Sequence, residues 1–160
     1  MATESSTVHA SAVLVGARAV LIRGPSGSGK SRLALELLDA ARTGRLRFAR
    51  LIGDDRVLLN AVAGQLLVRP AETLAGLIEV RGVGLLRVDY EPRAVVGLVV
   101  DLAAADAERL PTAEQRKVRV KGILLPRLAV AQRKQPLPAV LTLLTSAPGV
   151  GVMDGDLRRK

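Results

Sequence analysis

The chain of 160 residues contains no cysteine, no tryptophan and a single histidine. Disulfides and thiolate-bound metals are therefore excluded, as is a zinc site built from several histidines. The aromatic residues are only Phe48 and Tyr90, which requires an aliphatic core and removes the platform on which single-stranded nucleic acid stacks. No apolar run approaches the roughly 20 residues of a membrane span, and the first residues lack a secretory pattern. We therefore expect a cytoplasmic protein without a membrane partner.

The charge is strongly basic, with 24 lysines and arginines against 15 acidic residues and a net charge of +9. This excess favours an acidic partner such as a nucleotide, a nucleic acid or an acidic protein face. It is equally compatible with basic residues spread over a soluble surface. The length predicts one domain with its own core. We place that domain at residues 8–146, between a disordered tail at 1–7 and a loose basic tail at 147–160.

Apolar patterning predicts a mixed sheet with more strands than helices. A helix is expected over Arg32–Ala41, where leucines and alanines recur at helical spacing, and a second one over Pro138–Thr145. The expected strands are Val8–Val15, Ala17–Ile22, Phe48–Ile52, Arg56–Asn60, Gln65–Arg69, Ala94–Leu102 and Arg116–Val120. The fold class is therefore α/β, with few helices.

The octet GPSGSGKS lies between the apolar stretch VLIR and the helical stretch RLALELLDA. A flexible linker and a phosphate-binding loop both use glycine and serine, but a linker does not explain a Lys-Ser pair that closes directly onto a helix. The spacing G-x-x-x-x-G-K-[ST] predicts a loop whose backbone amides face phosphate oxygens at the start of a helix. The predicted nucleotide-binding residues are Gly24, Pro25, Ser26, Gly27, Ser28, Gly29, Lys30 and Ser31.

Two carboxylate sites compete for the magnesium-side role that accompanies such a loop. Asp101 ends the apolar run AVVGLVVD, and the pair Asp54-Asp55 ends RFARLIG. A hydrophobic strand that ends in aspartate is typical of a Mg²⁺ ligand in nucleotide hydrolases and kinases. The pair could instead be a solubilising turn. The residues alone leave these possibilities open.

Five segments in order resemble the catalytic C-terminal domain of HPr kinase/phosphorylase, a bacterial family that phosphorylates a serine of the small carrier protein HPr. They are VHASAVLV, GPSGSGKSRLALELL, IGDDRV, LIEVRGVG and AERLP. The third and fourth are the most discriminating. The resemblance implies a P-loop kinase-like fold of the HPr kinase C-terminal domain type, in a short form without the family's N-terminal domain.

The resemblance also implies roles for individual residues. ATP and Mg²⁺ are the implied cofactors, with Lys30 on the phosphates and with Ser31 and Glu79 as metal ligands. Asp55 matches the general base, and His9 and Arg109 match active-site residues. Each of the last two, like Glu79, also has a simpler interpretation as an ordinary charged or solvent-facing side chain. Asp54 is expected to set the geometry of Asp55.

The implied reaction is ATP-dependent phosphorylation of a serine on HPr or an HPr-like phosphocarrier, by a homo-oligomer that in this family tends to be a hexamer. Efficient phosphorolysis is not expected, because the family's Gly-Arg-Asn stretch is replaced here by GILLPRLAVAQ, with Pro126 beside Arg127. Two alternatives remain: a P-loop kinase with a small-molecule acceptor, and a basic nucleotide-binding regulatory module. Nucleic acid is an unlikely partner for the HPr kinase that the resemblance implies. The basic regulatory module would instead bind nucleic acid in a salt-sensitive way.

Overall fold

The structure is a computed structural model that describes residues 6–146. Within these residues lie two α-helices, α1 (Lys30–Arg42) and α2 (Leu137–Thr145), and two short 3-10 turns. The strands are β1 (Thr7–Val8), β2 (Ala10–Val15), β3 (Arg18–Arg23), β4 (Ala49–Gly53), β5 (Val57–Val62), β6 (Gln65–Pro70), β7 (Leu77–Val80), β8 (Gly84–Arg87), β9 (Ala94–Leu102), β10 (Lys117–Val120) and β11 (Ile123–Val130). This mixed sheet with few helices confirms the predicted α/β class.

Strand β9 organises the main sheet, whose order is β1-β5-β6-β9-β3-β2-β4. The first residues of β9 pair antiparallel with β6, while the rest of the strand pairs parallel with β3. Its last four residues, Val99–Leu102, also pair parallel with β11, which in turn pairs with β10. Strands β7 and β8 form a separate two-stranded sheet.

Strand direction brings several chain segments to one edge of the sheet. Strands β3, β9 and β11 are parallel, and β4 runs with them because β3 and β4 are both antiparallel to β2. The segments that follow all four strands therefore leave the sheet at the same edge, and β2 begins there. In open α/β sheets this carboxyl edge is where ligands bind.

Two aliphatic clusters pack on opposite faces of the sheet. On β3, Val20 and Ile22 belong to one cluster and Ala19 and Leu21 to the other, as the alternation of side chains along a strand requires. Helix α1 covers the first cluster with a fully buried stripe of leucine and alanine. Burial of each leucine side chain in that stripe contributes about 2 kcal/mol.

The expected aliphatic core is confirmed, since none of the buried residues at positions 6–146 is aromatic. Phe48 and Tyr90 are both exposed, at 36% and 42%. Neither of the two helices described is long and apolar enough to cross a membrane.

Several boundaries differ from those predicted. Helix α1 is longer than Arg32–Ala41 because Gly29 caps it and Lys30 opens it. The stretch LIEVRGVGLLRV, for which no element was predicted, forms the β7–β8 hairpin, and β11 was also missed. Of the predicted N-terminal tail, Thr7 pairs with Leu58. Residues 1–5 and the predicted tail at 147–160 lie outside the described part of the chain.

A pair of arginines holds Asp101 at the end of β9. Arg23 donates two hydrogen bonds to its carboxylate, at 2.8 and 3.0 Å, and Arg127 Nε donates a third at 2.6 Å. The other nitrogens of Arg127 bind Asp106 and the carbonyl of Gln115. Burial disfavours the charge on Asp101, but the two guanidinium groups outweigh it and lower the pKa of this carboxyl below its usual 3.8. The network fastens the loop after β9 to β11.

We predict that Arg127→Met lowers the free energy of unfolding by about 2 kcal/mol at neutral pH, because it removes a charged hydrogen-bond donor from a partly buried carboxylate that then keeps only Arg23. Asp101 has a lowered pKa in the folded state, so its contribution is present above the unfolded pKa and disappears as the pH falls through the folded one. The difference between wild type and variant should therefore shrink in acid. Denaturant unfolding at neutral and at strongly acidic pH measures it.

The matched control is Arg32→Met, which removes a more exposed guanidinium paired with Glu36 one helical turn away. Such a pair contributes only about 0.3–0.5 kcal/mol. Equal unfolding free energies for wild type and Arg127→Met at neutral pH would show that the Asp101 network does not stabilise the fold.

Candidate functional site

The glycine-rich loop lies between β3 and α1 at the carboxyl edge of the sheet. Gly27 and Gly29 have φ values of +80° and +100°, a region that side chains other than glycine rarely adopt. Gly29 is the N-cap of α1, and its carbonyl accepts the amide of Leu33. The loop thus ends on the amino terminus of a 13-residue helix, whose free amides and dipole favour an anion.

Lys30 is one of the few buried charged residues, at 7% exposure. Its ammonium donates hydrogen bonds to the carbonyls of Gly24 and Pro25, at 2.7 and 3.0 Å. Burial lowers the pKa of Lys30, and the negative charges of Asp55 and Asp54 offset this effect only in part. The ammonium therefore lies within the loop and close to two carboxylates, where a phosphate oxygen could replace a carbonyl as its acceptor.

Asp54 joins three separate elements through its carboxylate. Its Oδ1 accepts a hydrogen bond from the Ser11 hydroxyl at 2.6 Å. The Ser31 hydroxyl also donates to this carboxylate, at 2.8 Å from Oδ1 and 2.9 Å from Oδ2. Its Oδ2 accepts the backbone amide of Glu79 at 3.2 Å. Strand β2, the start of α1 and the β7–β8 hairpin are thus all tied to the residue that follows β4.

Asp55 lies beside this cluster but faces solvent. Its side chain is 61% exposed, and His9 Nε2 lies 2.7 Å from Asp55 Oδ1, which accepts its hydrogen. The φ of Asp55 is +69°, a left-handed conformation that aspartate and asparagine tolerate better than most residues. The two neighbouring acids therefore point to different surroundings, one into a buried network and one into open space.

A single cleft of about 960 Å³ contains most of these side chains. It is lined by the loop from Pro25 to Arg32, by His9, Asp55 and Glu79, and by the segments that follow β9 and β11. Three further cations also line this cleft, Arg81, Arg133 and Lys134, so it is rich in basic side chains.

The site residues expected from the sequence divide into two groups. The loop residues from Pro25 to Ser31 line one cleft together with His9, Asp55 and Glu79, while Gly24 is not among its described lining residues. Arg109 is exposed on the loop after β9 and is also not among the described residues that line the cleft. Asp101, which competed with Asp54-Asp55 as the carboxylate beside the phosphates, binds Arg23 and Arg127 instead. The geometry therefore favours the pair after β4.

Oxygen ligands for a magnesium ion are present beside the loop. The Ser31 hydroxyl touches the Asp54 carboxylate, and Glu79 follows on the adjoining hairpin. Residues 6–146 contain no cluster of three or more His, Cys, Asp or Glu side chains arranged around a metal. Mg²⁺ does not require one, because it is usually held by one or two carboxylates together with waters and substrate phosphates. The residues present fit Mg²⁺ bound with a nucleotide.

Comparison with known proteins agrees with this geometry. Residues 1–133 match the family described as HPr Serine kinase C-terminal domain. The chain belongs to this family. A structure of the Hpr(Ser) kinase/phosphatase from Coxiella burnetii has the same fold, with a TM-score of 0.67, 24% identity and 87% coverage of each chain.

Curated relatives named HPr kinase/phosphorylase match parts of the chain. The protein from Geobacillus thermodenitrificans is 33% identical over 140 residues, which cover 81% of this chain and 43% of the relative. The protein from Streptococcus thermophilus is 44% identical over 86 residues, covering 53% of this chain and 26% of the relative. The matched stretches therefore span between about a quarter and somewhat under half of the lengths of these relatives.

Sequence reasoning missed one contributor to the site and one contact. Ser11 lies in an apolar run, where nothing marks it as a partner of an acid 43 residues away. Asp54 was considered as a member of the acidic pair and as the residue that sets the geometry of Asp55, but its contact with Ser31 was not predicted. The sequence does show two adjacent acids after a strand. A correct prediction of the sheet topology would have placed that strand's end beside the glycine-rich loop and so predicted the contact between Asp54 and Ser31.

Because burial of the Lys30 ammonium lowers its pKa, this charge costs stability in the folded chain without a ligand. We predict that Lys30→Met does not lower the melting temperature of the ligand-free protein. Its flexible apolar side chain retains the contacts of the lysine stem without the desolvated charge. Thermal unfolding of both proteins under the same conditions measures this. A marked drop in melting temperature would mean that the two carboxylates depend on this ammonium for their own stability.

Proposed function

We propose that this HPr kinase domain is an ATP-dependent protein serine kinase that acts on HPr or an HPr-like phosphocarrier in the cytoplasm. The observation that carries the proposal is the position of Asp55, an exposed carboxylate on the same cleft as the phosphate-type loop and its Lys30. Membership of the HPr Serine kinase family supports the choice of acceptor.

The loop would bind the phosphates of ATP through its backbone amides and the Lys30 ammonium, which would exchange its carbonyl acceptors for phosphate oxygens. Ser31 and Glu79 would hold Mg²⁺, with Asp54 accepting the Ser31 hydroxyl proton so that the hydroxyl oxygen faces the ion. Bound Mg²⁺ supplies neutralisation of the charge that develops on the phosphate oxygens.

Asp55 would accept the proton of the incoming serine as the seryl oxygen bonds to the terminal phosphorus of ATP and the bond to the bridging oxygen of ADP breaks, so that ADP leaves. A seryl hydroxyl is a weak nucleophile, and a carboxylate within hydrogen-bond reach raises its reactivity during the transfer. His9 would orient the Asp55 carboxylate through the hydrogen bond at 2.7 Å. The backbone at Asp55 is left-handed, and its side chain is exposed on the cleft, whereas the neighbouring Asp54 is buried.

The open side of the cleft favours a protein acceptor over a small molecule. The residues between Asp55 and Glu79 form the β5–β6 hairpin, which is paired into the main sheet and cannot close as a lid. Next to Asp55, the β7–β8 hairpin exposes Val83 and Leu85, at 67% and 69%. In the register of this hairpin Leu85 pairs with Glu79, so both side chains share one face.

The proposal covers the kinase direction. The stretch that corresponds to the family's phosphorylase segment lacks Gly-Arg-Asn, and its Arg127 is bound to Asp101 and Asp106 and is not among the described residues that line the cleft. We therefore propose that phosphorolysis of the phosphoserine is inefficient. Assembly into a homo-oligomer, and Arg109 as an active-site residue, remain predictions from the family resemblance.

Asp55→Asn should reduce phosphoryl transfer to HPr by about 10²- to 10⁴-fold, the usual contribution of a general base. Asparagine preserves the shape and accepts the left-handed backbone, so the affinity for ATP with Mg²⁺ should change little. Transfer from labelled ATP and nucleotide titration calorimetry, carried out on the same preparations, separate the two effects.

The companion variant is Lys30→Ala, which should weaken both transfer and nucleotide binding because it removes the phosphate ligand itself. An Asp55→Asn protein that transfers phosphate at the wild-type rate would refute the role of Asp55. Label appearing on a sugar or nucleotide while HPr stays unlabelled would refute the choice of acceptor.

Leu85→Ser should raise the KM for the phosphocarrier by about fivefold or more, as the loss of an interface contact worth over 1 kcal/mol does. It should leave the KM for ATP unchanged, since Leu85 does not line the cleft. Leu124→Ser is the control, because Leu124 is similarly exposed at 51% but lies on β11. Equal effects of the two variants on the acceptor KM would exclude the hairpin from acceptor binding.

A further inference from the structure

Among residues 6–146 the buried polar and charged residues are Ser11, Lys30 and Asp54, and all of them belong to the site. The first of these has no part in the proposed reaction. Ser11 is fully buried in β2, which is paired on both sides by β3 and β4. A hydroxyl in such a position costs stability unless it is hydrogen-bonded.

The hydroxyl of Ser11 is bound to both members of the acidic pair. It donates to Asp54 Oδ1 at 2.6 Å, and its oxygen accepts the backbone amide of Asp55 at 3.4 Å. The Ser11 side chain thus contacts both the carboxylate of Asp54, which binds Ser31, and the backbone of Asp55, whose own carboxylate is exposed. The second contact falls at Asp55, where the backbone is left-handed.

We propose that Ser11 is a positioning residue, which fixes the orientation of the Asp54 carboxylate and the backbone of Asp55. This inference rests on the proposed function, in which Ser31 binds Mg²⁺ and Asp55 accepts the seryl proton. It concerns a residue of β2 that is not itself among the described residues lining the cleft.

The reasoning follows the donors around Asp54. A carboxylate rotates readily about its last bond unless donors hold both oxygens. Ser11 holds Oδ1 and the amide of Glu79 holds Oδ2, while the Ser31 hydroxyl lies against both. With its plane fixed in this way, Asp54 accepts the hydrogen bond of the Ser31 hydroxyl from one side, which leaves the lone pairs of the Ser31 oxygen for a ligand in the cleft.

Removal of the hydroxyl should therefore affect the metal-dependent part of nucleotide binding. Ser11→Ala should lower by about 10- to 100-fold the gain in ADP affinity that Mg²⁺ provides, the usual effect of removing a group that orients a metal ligand. ADP affinity in the absence of Mg²⁺ should stay at the wild-type value, because the loop amides and Lys30 do not contact Ser11. Isothermal titration of ADP with and without Mg²⁺ gives this ratio.

A second readout needs neither nucleotide nor metal. In the ligand-free protein the amide of Asp55 should exchange with solvent faster in Ser11→Ala than in wild type, because it has lost its acceptor. For phosphoryl transfer, kcat should fall while the KM for the phosphocarrier stays the same. Ser11→Thr, which restores a hydroxyl, should recover the Mg²⁺-dependent gain and the slow amide exchange.

Val13→Ala is the matched control, since Val13 is a fully buried residue of the same strand whose truncation loosens the core without removing a hydrogen bond. It should lower the melting temperature and leave the ratio of ADP affinities unchanged. The inference is overturned if Ser11→Ala keeps the wild-type ratio, or if Val13→Ala lowers that ratio as much. Wild-type protein whose ADP affinity does not respond to Mg²⁺ would instead overturn the proposed function.

Discussion

The site depends on the burial of one carboxylate. Asp54 is 3% exposed, and a charge so far from water is tolerated only when its oxygens are well supplied with donors. Ser11, Ser31 and the amide of Glu79 supply them from a strand, a helix and a hairpin that are distant in the sequence. The requirement to satisfy this charge therefore sets the relative positions of the phosphate-type loop, the acidic pair and the wall of the cleft.

Around this contact, the topology explains why the remaining residues converge. The loop, the acidic pair and the segment that begins at Ala131 each follow a strand that ends at the same edge, and His9 precedes the strand that starts there. A different network occupies the end of β9, where Asp101 binds two arginines and fastens the neighbouring loop. Two aspartates that look alike in the sequence thus have different surroundings, one linked to a nucleotide-type loop and one linked to structural cations.

Much of this arrangement could be predicted from the sequence because the decisive signals are local. The strand–loop–helix around Lys30 is predicted by its motif and by the helical spacing that follows it. Strand β9 is predicted by its long uninterrupted apolar run. Strand β11 could not be predicted in this way, since Pro126 interrupts its ladder at the point where pairing changes from β10 to β9. The choice between Asp54 and Asp101, and the contact of Ser11, depend on which strands are neighbours, and that information is not local.

The claim at the centre of this account is that the cleft transfers the terminal phosphate of ATP to a serine of a partner protein. Tandem mass spectrometry of HPr after incubation with ATP, Mg²⁺ and the purified chain tests it most directly. The account predicts one added phosphoryl group, located on a single serine and dependent on Mg²⁺. Unmodified HPr in a sample where the chain binds ATP would contradict it.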